Sequence, residues 1–186
     1  MLSRYTTTRA AVILSLLLLL AGISAAQVLN SGAATIALNA NLSESVSLTL
    51  SGNAVNFTLN AGAASNPGST PVTATTTWTL KPSRGSLNIY AFFSSSASAL
   101  TDSAGDNIPS SSFEISDNGG AFTALTNTTP FGGANAGLQL GSVKILGNNK
   151  QGTRTDNMNF NINLSALPQL PAATYTGTVT IQVQVI

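Results

Sequence analysis

The sequence contains no cysteine and no histidine. Those two absences remove Cys nucleophiles, His-dependent catalytic triads and the usual zinc sites together. In an exported chain they also mean that no disulfide framework supports the fold, so the core and the sheet ladders must suffice. Charge is almost as scarce, since Asp, Glu, Lys and Arg make up 7% of the residues. Of the seven basic residues, Arg4 and Arg9 lie in the first 26 positions, and the remaining five meet six acidic ones. A surface that reads nucleic acid needs a basic stripe to neutralise phosphates, and none is present. Lys81 and Arg84 share one turn, while Lys144, Lys150 and Arg154 are scattered and read as solvated loop charges.

Solubility has to come from the Ser, Thr, Asn and Gln that crowd the chain from Leu29 onward. Such a composition can signal disorder, but Val, Ile, Leu and Phe recur here at period two, the mark of a half-buried strand. About 160 residues outside the leader suffice for one domain with a real core.

The leader is "MLSRYTTTRAAVILSLLLLLAGISAAQ". Arg4 and Arg9 precede an apolar run from Ala10 to Ile23, and Ser24 and Ala26 are small, which is the layout of a secretory signal peptide. Cleavage is expected after Ala26, leaving Gln27 first. The run is shorter than the roughly 18 to 20 apolar residues that span a bilayer, so no integral membrane segment is expected after cleavage. No Cys follows the run and no paired-Arg motif precedes it, pointing to the general secretory route without lipidation. The periplasm, the cell surface and the medium are the destinations left open.

From Ile36 the even positions read Ile36, Leu38, Ala40, Leu42, Glu44, Val46, Leu48 and Leu50, giving one or two strands broken near Ser43 and Glu44. After Ser51-Gly52-Asn53 the parity shifts to Val55, Phe57 and Leu59, as in a hairpin partner. "TATTTWTL" and "LNIYAFF" around "KPSRGS" read as a second hairpin, and "SFEIS" and "AFTAL" flank an Asp117-to-Gly120 turn. "LQLGSVKIL", "NMNFNINL" and a final strand in "YTGTVTIQVQVI" follow, the last placing Val179, Ile181, Val183 and Val185 on one face. The spacing predicts an all-β fold, an antiparallel Ig-like β-sandwich over residues 43–186, with 27–42 as an N-terminal extension or first strand. An outer-membrane barrel would need aromatic girdles, and the few aromatics cluster in mid-chain instead.

Candidate sites are few. Asp102, Asp106 and Asn107 offer oxygen ligands beside Gly105, but their spacing is not that of a calcium loop, and a polar turn is expected. Glu114 and Asp117 are a close carboxylate pair, three apart where a strand enters a tight turn, unlike two carboxylates facing each other across a sugar. Trp78 alternates with threonines as an inward core residue does. Tyr90 and Phe92 have the opposite parity to Ile89 and Phe93, which makes them the best place for a ligand such as a carbohydrate. The N-x-S/T triplets at Asn41, Asn56, Asn127 and Asn163 are expected by chance in so Asn-, Ser- and Thr-rich a chain. No metal, cofactor or catalytic group is expected.

The stretch "LPAATYTGTVTIQVQVI" resembles the closing strand of small bacterial surface proteins of the spore coat U and chaperone-usher pilin type, and "SVSLTLSGNAVNFTL" sits where those proteins carry their first core strands. The chain departs from them in lacking a disulfide, and it has Ala173 and Val185 where the usher pilins carry Gly and an aromatic residue. The resemblance implies a non-catalytic, Ig-like structural or adhesive subunit, with copies of itself, related subunits or a periplasmic chaperone as partners. Ile36, Leu38, Ala40 and Leu42 of residues 27–42, which either donate a strand to another copy or form the first strand of their own domain, and Val179, Ile181, Val183 and Val185 of the final strand are the expected strand-exchange or self-association residues. A secreted carbohydrate-binding module using Tyr90 and Phe92 is the alternative.

Overall fold

The structure is a computed structural model and describes residues 31–186; the expected leader and residues 27–30 lie outside those residues. The chain divides into two units, Met1–Ala40 and Asn41–Ile186. In the first, residues 31–40 form no strand and are exposed. The second is all-β and antiparallel.

Ten strands build it: β1 (Ser45–Leu50), β2 (Val72–Thr79), β3 (Ser86–Phe92), β4 (Leu100–Thr101), β5 (Asn107–Ile108), β6 (Phe113–Asp117), β7 (Thr123–Ala124), β8 (Gly137–Lys144), β9 (Gln151–Ile162) and β10 (Thr180–Val185). One sheet has the order β1-β2-β9-β6-β7, a second the order β10-β3-β8, and β4 pairs with β5. Among the described residues no helix is long and apolar enough to cross a membrane.

Alternation accounts for most of the core. Val72, Ala74, Thr76 and Trp78 of β2 are buried, while the threonines between them lie nearer solvent. Trp78 is buried as expected, and its Nε1 donates to the Asn149 carbonyl at 2.9 Å, so the polar tip of the ring is satisfied. Both sheets contribute to one apolar cluster, which includes Val72, Ile115 and Met158 from the first and Ala91 and Leu138 from the second. A smaller cluster gathers Trp78, Leu80, Leu87, Ile89 and Ile145.

The inward face of β9 also carries Arg154 and Asp156, with Asp156 fully buried. Arg154 is therefore a strand residue facing inward, not the solvated loop charge that its spacing suggested. Its guanidinium crosses over Gly141 of β8, where a Cβ would collide with it. A bulge in the β3–β8 register, between Ile89 and Tyr90, lies beside this glycine.

Three pairings differ from the expectations. Residues 36–42 form no strand despite their period, since they have no described sheet partner and an unpaired strand is not stable by itself. Residues 55–59 are not a hairpin partner of β1; the β1 ladder runs to β2, from Ser45↔Thr79 to Leu50↔Ala74. Nor do β2 and β3 form a hairpin. Both edges of β2 are taken by β1 and β9, so residues 80–85 carry the chain to the other sheet. The β6–β7 hairpin does form, with Asn118 and Gly119 both at positive φ, as its tight two-residue turn demands.

Truncating Trp78 to Ala should cost about 3–5 kcal/mol in urea denaturation, the usual cost of emptying a large aromatic site. Leu146→Ala, at a residue 51% exposed, should stay within about 0.5 kcal/mol of the parent. Equal costs for the two would contradict this core.

Candidate functional site: an apolar groove beside the last strand

The second unit carries an open groove of about 790 Å³. Its floor is the larger core cluster itself, with Phe93, Phe113, Met158 and Phe160 among the residues reached from the groove. One rim is formed by Leu50 and the strandless residues after it, including Val55, Phe57 and Leu59. The other rim runs from Leu170 through Tyr175 and Val179 to Ile181.

The rims meet two sheet edges. Among the described residues β1 ends one sheet and β10 ends the other, so each has a ladder partner on one side only. Ile186 and Ser86 exchange both backbone hydrogen bonds, at 3.0 and 3.1 Å. Since such pairs alternate along an antiparallel ladder, the even residues of β10 face β3, and Ile181, Val183 and Val185 direct their N–H and C=O groups to the free edge. The same odd residues carry the side chains that turn inward, opposite Ala91, Ile89 and Leu87. An added strand would find backbone donors and acceptors on β10 and, toward Ile181, an apolar floor.

The expected strand-exchange residues therefore fall into distinct places. Val179 and Ile181 line the groove, whereas Val183 and Val185 pack on the smaller cluster beyond its end. Ile36, Leu38 and Leu42 are 85%, 90% and 74% exposed, and Ala40 is exposed as well. An apolar period-two segment thus lies bare in the chain that carries the groove.

Glu44 fixes the point where that segment meets β1. Arg84 Nε and Nη2 donate to the two carboxylate oxygens at 3.0 Å each, the Lys81 amide donates to Oε1 at 2.8 Å, and Lys81 Nζ stands 3.8 Å away. The Arg84 hydrogen bonds, then the Lys81 amide, hold the Glu44 carboxyl down to about 2 from an ordinary 4.5.

The other candidates occupy structural positions. Tyr90 is buried, and Phe131 caps both it and the half-buried Phe92, at ring-centroid distances of 6.1 and 5.8 Å, so neither presents an open stacking platform. Asp102 Oδ1 accepts from the amides of Ala104 and Asp106 in its own loop, at 2.9 and 2.8 Å. Glu114 accepts from Asn161 Nδ2 at 2.7 Å and Asn163 Nδ2 at 3.2 Å. Glu114 and Asp117 lie on opposite faces of β6 and do not confront one another. Among the described residues no three or more acidic side chains gather as a metal site would require.

Sequence reasoning missed the groove itself, because its rim residues 54–59 have the period of a strand yet form none. No protein-family model matches the chain, and no curated protein matches it.

A group whose carboxyl is held below its ordinary value contributes stability above that value and loses it as pH falls toward the lowered one. Glu44→Gln should therefore be less stable than the parent at neutral pH, with the gap closing between pH 4.5 and about 2. Thermal melts across that range check this, and a gap independent of pH would contradict the assignment.

Proposed function

We propose that this chain is an exported, non-catalytic structural subunit with an Ig-like β-sandwich, which assembles on the cell surface when the 27–42 segment of one copy adds a strand in the groove of another. The observation that carries the reading is the groove above core residues beside a strand edge that is free among the described residues, in a chain that also bears an exposed apolar period-two segment with no partner among them. The leader read from Met1 to Ala26 supports export by the general secretory route, and the likeness of Pro171–Thr180 to spore coat U and usher pilin endings supports the subunit class.

Strand addition suits both components. Main-chain hydrogen bonds to the β10 edge give affinity, and alternate side chains entering the groove give register. Fully burying an Ile or Leu contributes about 1.5–3 kcal/mol, and the segment offers Ile36, Leu38 and Leu42. Contacts of this head-to-tail kind grow into open filaments unless the rotation between copies closes a ring.

Geometry favours insertion between copies over folding back. Glu44 is held at Arg84, and the groove begins at Leu50, roughly 20 Å further along the strand at the usual rise per residue. A segment reversing at Ser43 would lay Leu42, Ala40 and Leu38 beside Glu44–Leu48, short of the groove, and bring only Ile36 of the four to its start at Leu50. A second copy has no such tether. Until a donor arrives the half-buried rim residues Val55, Phe57, Leu59, Val179 and Ile181 stay partly open to solvent, which is the condition in which a periplasmic chaperone would be needed.

The test compares the chain from Gln27 with one starting at Ser43, by size-exclusion and thermal melting, with and without added peptide 27–42. Concentration-dependent oligomers of the longer chain, and a rise in midpoint when the shorter one receives the peptide, are expected. Changing Leu38 to Asp in the peptide should abolish that rise. A longer chain that remains a monomer at all concentrations, together with a peptide that has no effect, would overturn the proposal.

A further inference from the structure

Between the two apolar clusters lie two carboxylates and one guanidinium. Arg154 Nε donates to Asp156 Oδ1 and Oδ2 at 2.8 and 3.0 Å, and Arg154 Nη2 stands 3.7 Å from Asp117 Oδ2. Asn118 Nδ2 donates to Asp117 Oδ2 at 3.0 Å and to Asp156 Oδ1 at 3.2 Å, so one amide bridges both acids. That amide is fixed in orientation, because Asn118 Oδ1 accepts from the Asn157 amide at 3.0 Å and the Asn118 amide donates to the Asn157 carbonyl at 2.8 Å. Asp117 Oδ1 is buried with no hydrogen-bond partner.

Two ionised carboxylates would give the site a net negative charge that one guanidinium cannot cancel, and would leave a buried oxygen without a donor. A proton on Asp117 removes both penalties. The protonated group can donate to the neighbouring carboxylate, which turns a repulsion into a hydrogen bond. The charged groups facing Asp117 are Arg154 and Asp156, both from β9. From β2 the residue opposite Arg154 is Thr76, from β8 the residue beneath its guanidinium is Gly141, and Glu114 lies on the far face of β6; neither Thr76 nor Gly141 titrates in this range.

We propose that Asp117 is the proton-uptake site of a clasp joining β6 to β9, and that this clasp tightens as the surroundings turn acidic. Burial, and then the charge of Asp156, push the Asp117 carboxyl up to about 6 from an ordinary 3.8, against the opposing pull of Arg154. A group raised in this way contributes stability in full below 3.8 and loses it as pH rises through about 6. The response falls in the range usually served by histidine, which this chain lacks.

The experiment uses the chain from Gln27, melted at intervals from about pH 7.5 to about pH 4.5, with the Asp117 side-chain carboxyl followed by NMR over the same range. The midpoint should rise by several degrees on acidification, and the carboxyl should titrate near 6. Asp117→Asn, uncharged at every pH, should melt with little pH dependence and no lower than the parent at neutral pH. Glu114→Gln, on the other face of the strand, should keep the rise. An Asp117 carboxyl that titrates near 4 in the folded protein overturns the proposal, as does a rise retained in full by Asp117→Asn. If that variant does not fold, the NMR titration of the parent decides alone.

Discussion

The register between β2 and β9 is the constraint from which the rest of this structure follows. It runs from Val72↔Met158 to Thr79↔Gln151 in the middle of the larger sheet, and it decides which side of each strand faces the second sheet. With this register Trp78 lies opposite Gly152, Thr76 opposite Arg154 and Ala74 opposite Asp156. Each large or charged side chain is thus matched with a small or polar neighbour. A shift of one residue would send Arg154, Asp156, Met158 and Phe160 to the outer face and leave the larger cluster without its centre.

The ion pair that this register buries is an unusual thing to place inside so weakly charged a chain. Taking charges out of water costs several kcal/mol per ion, and a buried pair repays that only when its hydrogen bonds are complete. Arg154 and Asp156 meet the condition through two Nε contacts, with Asn118 bracing the carboxylate from the β6–β7 turn. Gly141 supplies the space for the guanidinium, so a residue with no side chain on one sheet sets where a charge can sit on the other.

These relations explain which parts of the molecule were legible in the sequence. Period two correctly turned Trp78 inward, because alternation is local and needs no partner to be read. Arg154 and Asp156 share the parity of Met158 and Phe160, but the strand expected from the sequence begins at Asn157, which leaves Arg154 among the loop charges, whereas β9 begins at Gln151. Whether β2 and β3 share a sheet is not encoded in either strand's alternation. That choice depends on β1 and β9 occupying both edges of β2, which is a matter of contacts far apart in sequence. For the same reason residues 36–42 and 54–59 carry strand periodicity without forming strands. Periodicity marks a face that gains from being covered, and it is silent about what covers it.

That distinction bears on the groove. Half-buried apolar rims without a covering strand forgo burial free energy, and a free strand edge invites indiscriminate pairing, so a chain that keeps both must limit what can enter. Here the exposed Thr180 and Gln182 and the half-buried Gln184 of β10 alternate with the inward Ile181, Val183 and Val185, so the edge is polar on one face and apolar on the other. A segment in the wrong register would bury Asn or Ser against Phe113 and Phe160 and strand their amides and hydroxyls without partners, at a cost of about 1–3 kcal/mol each. On the proposed assembly, then, specificity comes less from the attraction of Ile36, Leu38 and Leu42 for the groove than from the penalty on the polar residues between them. In the segment itself Asn39 and Asn41 carry that penalty, which needs no cysteine, histidine or charged patch to set the register.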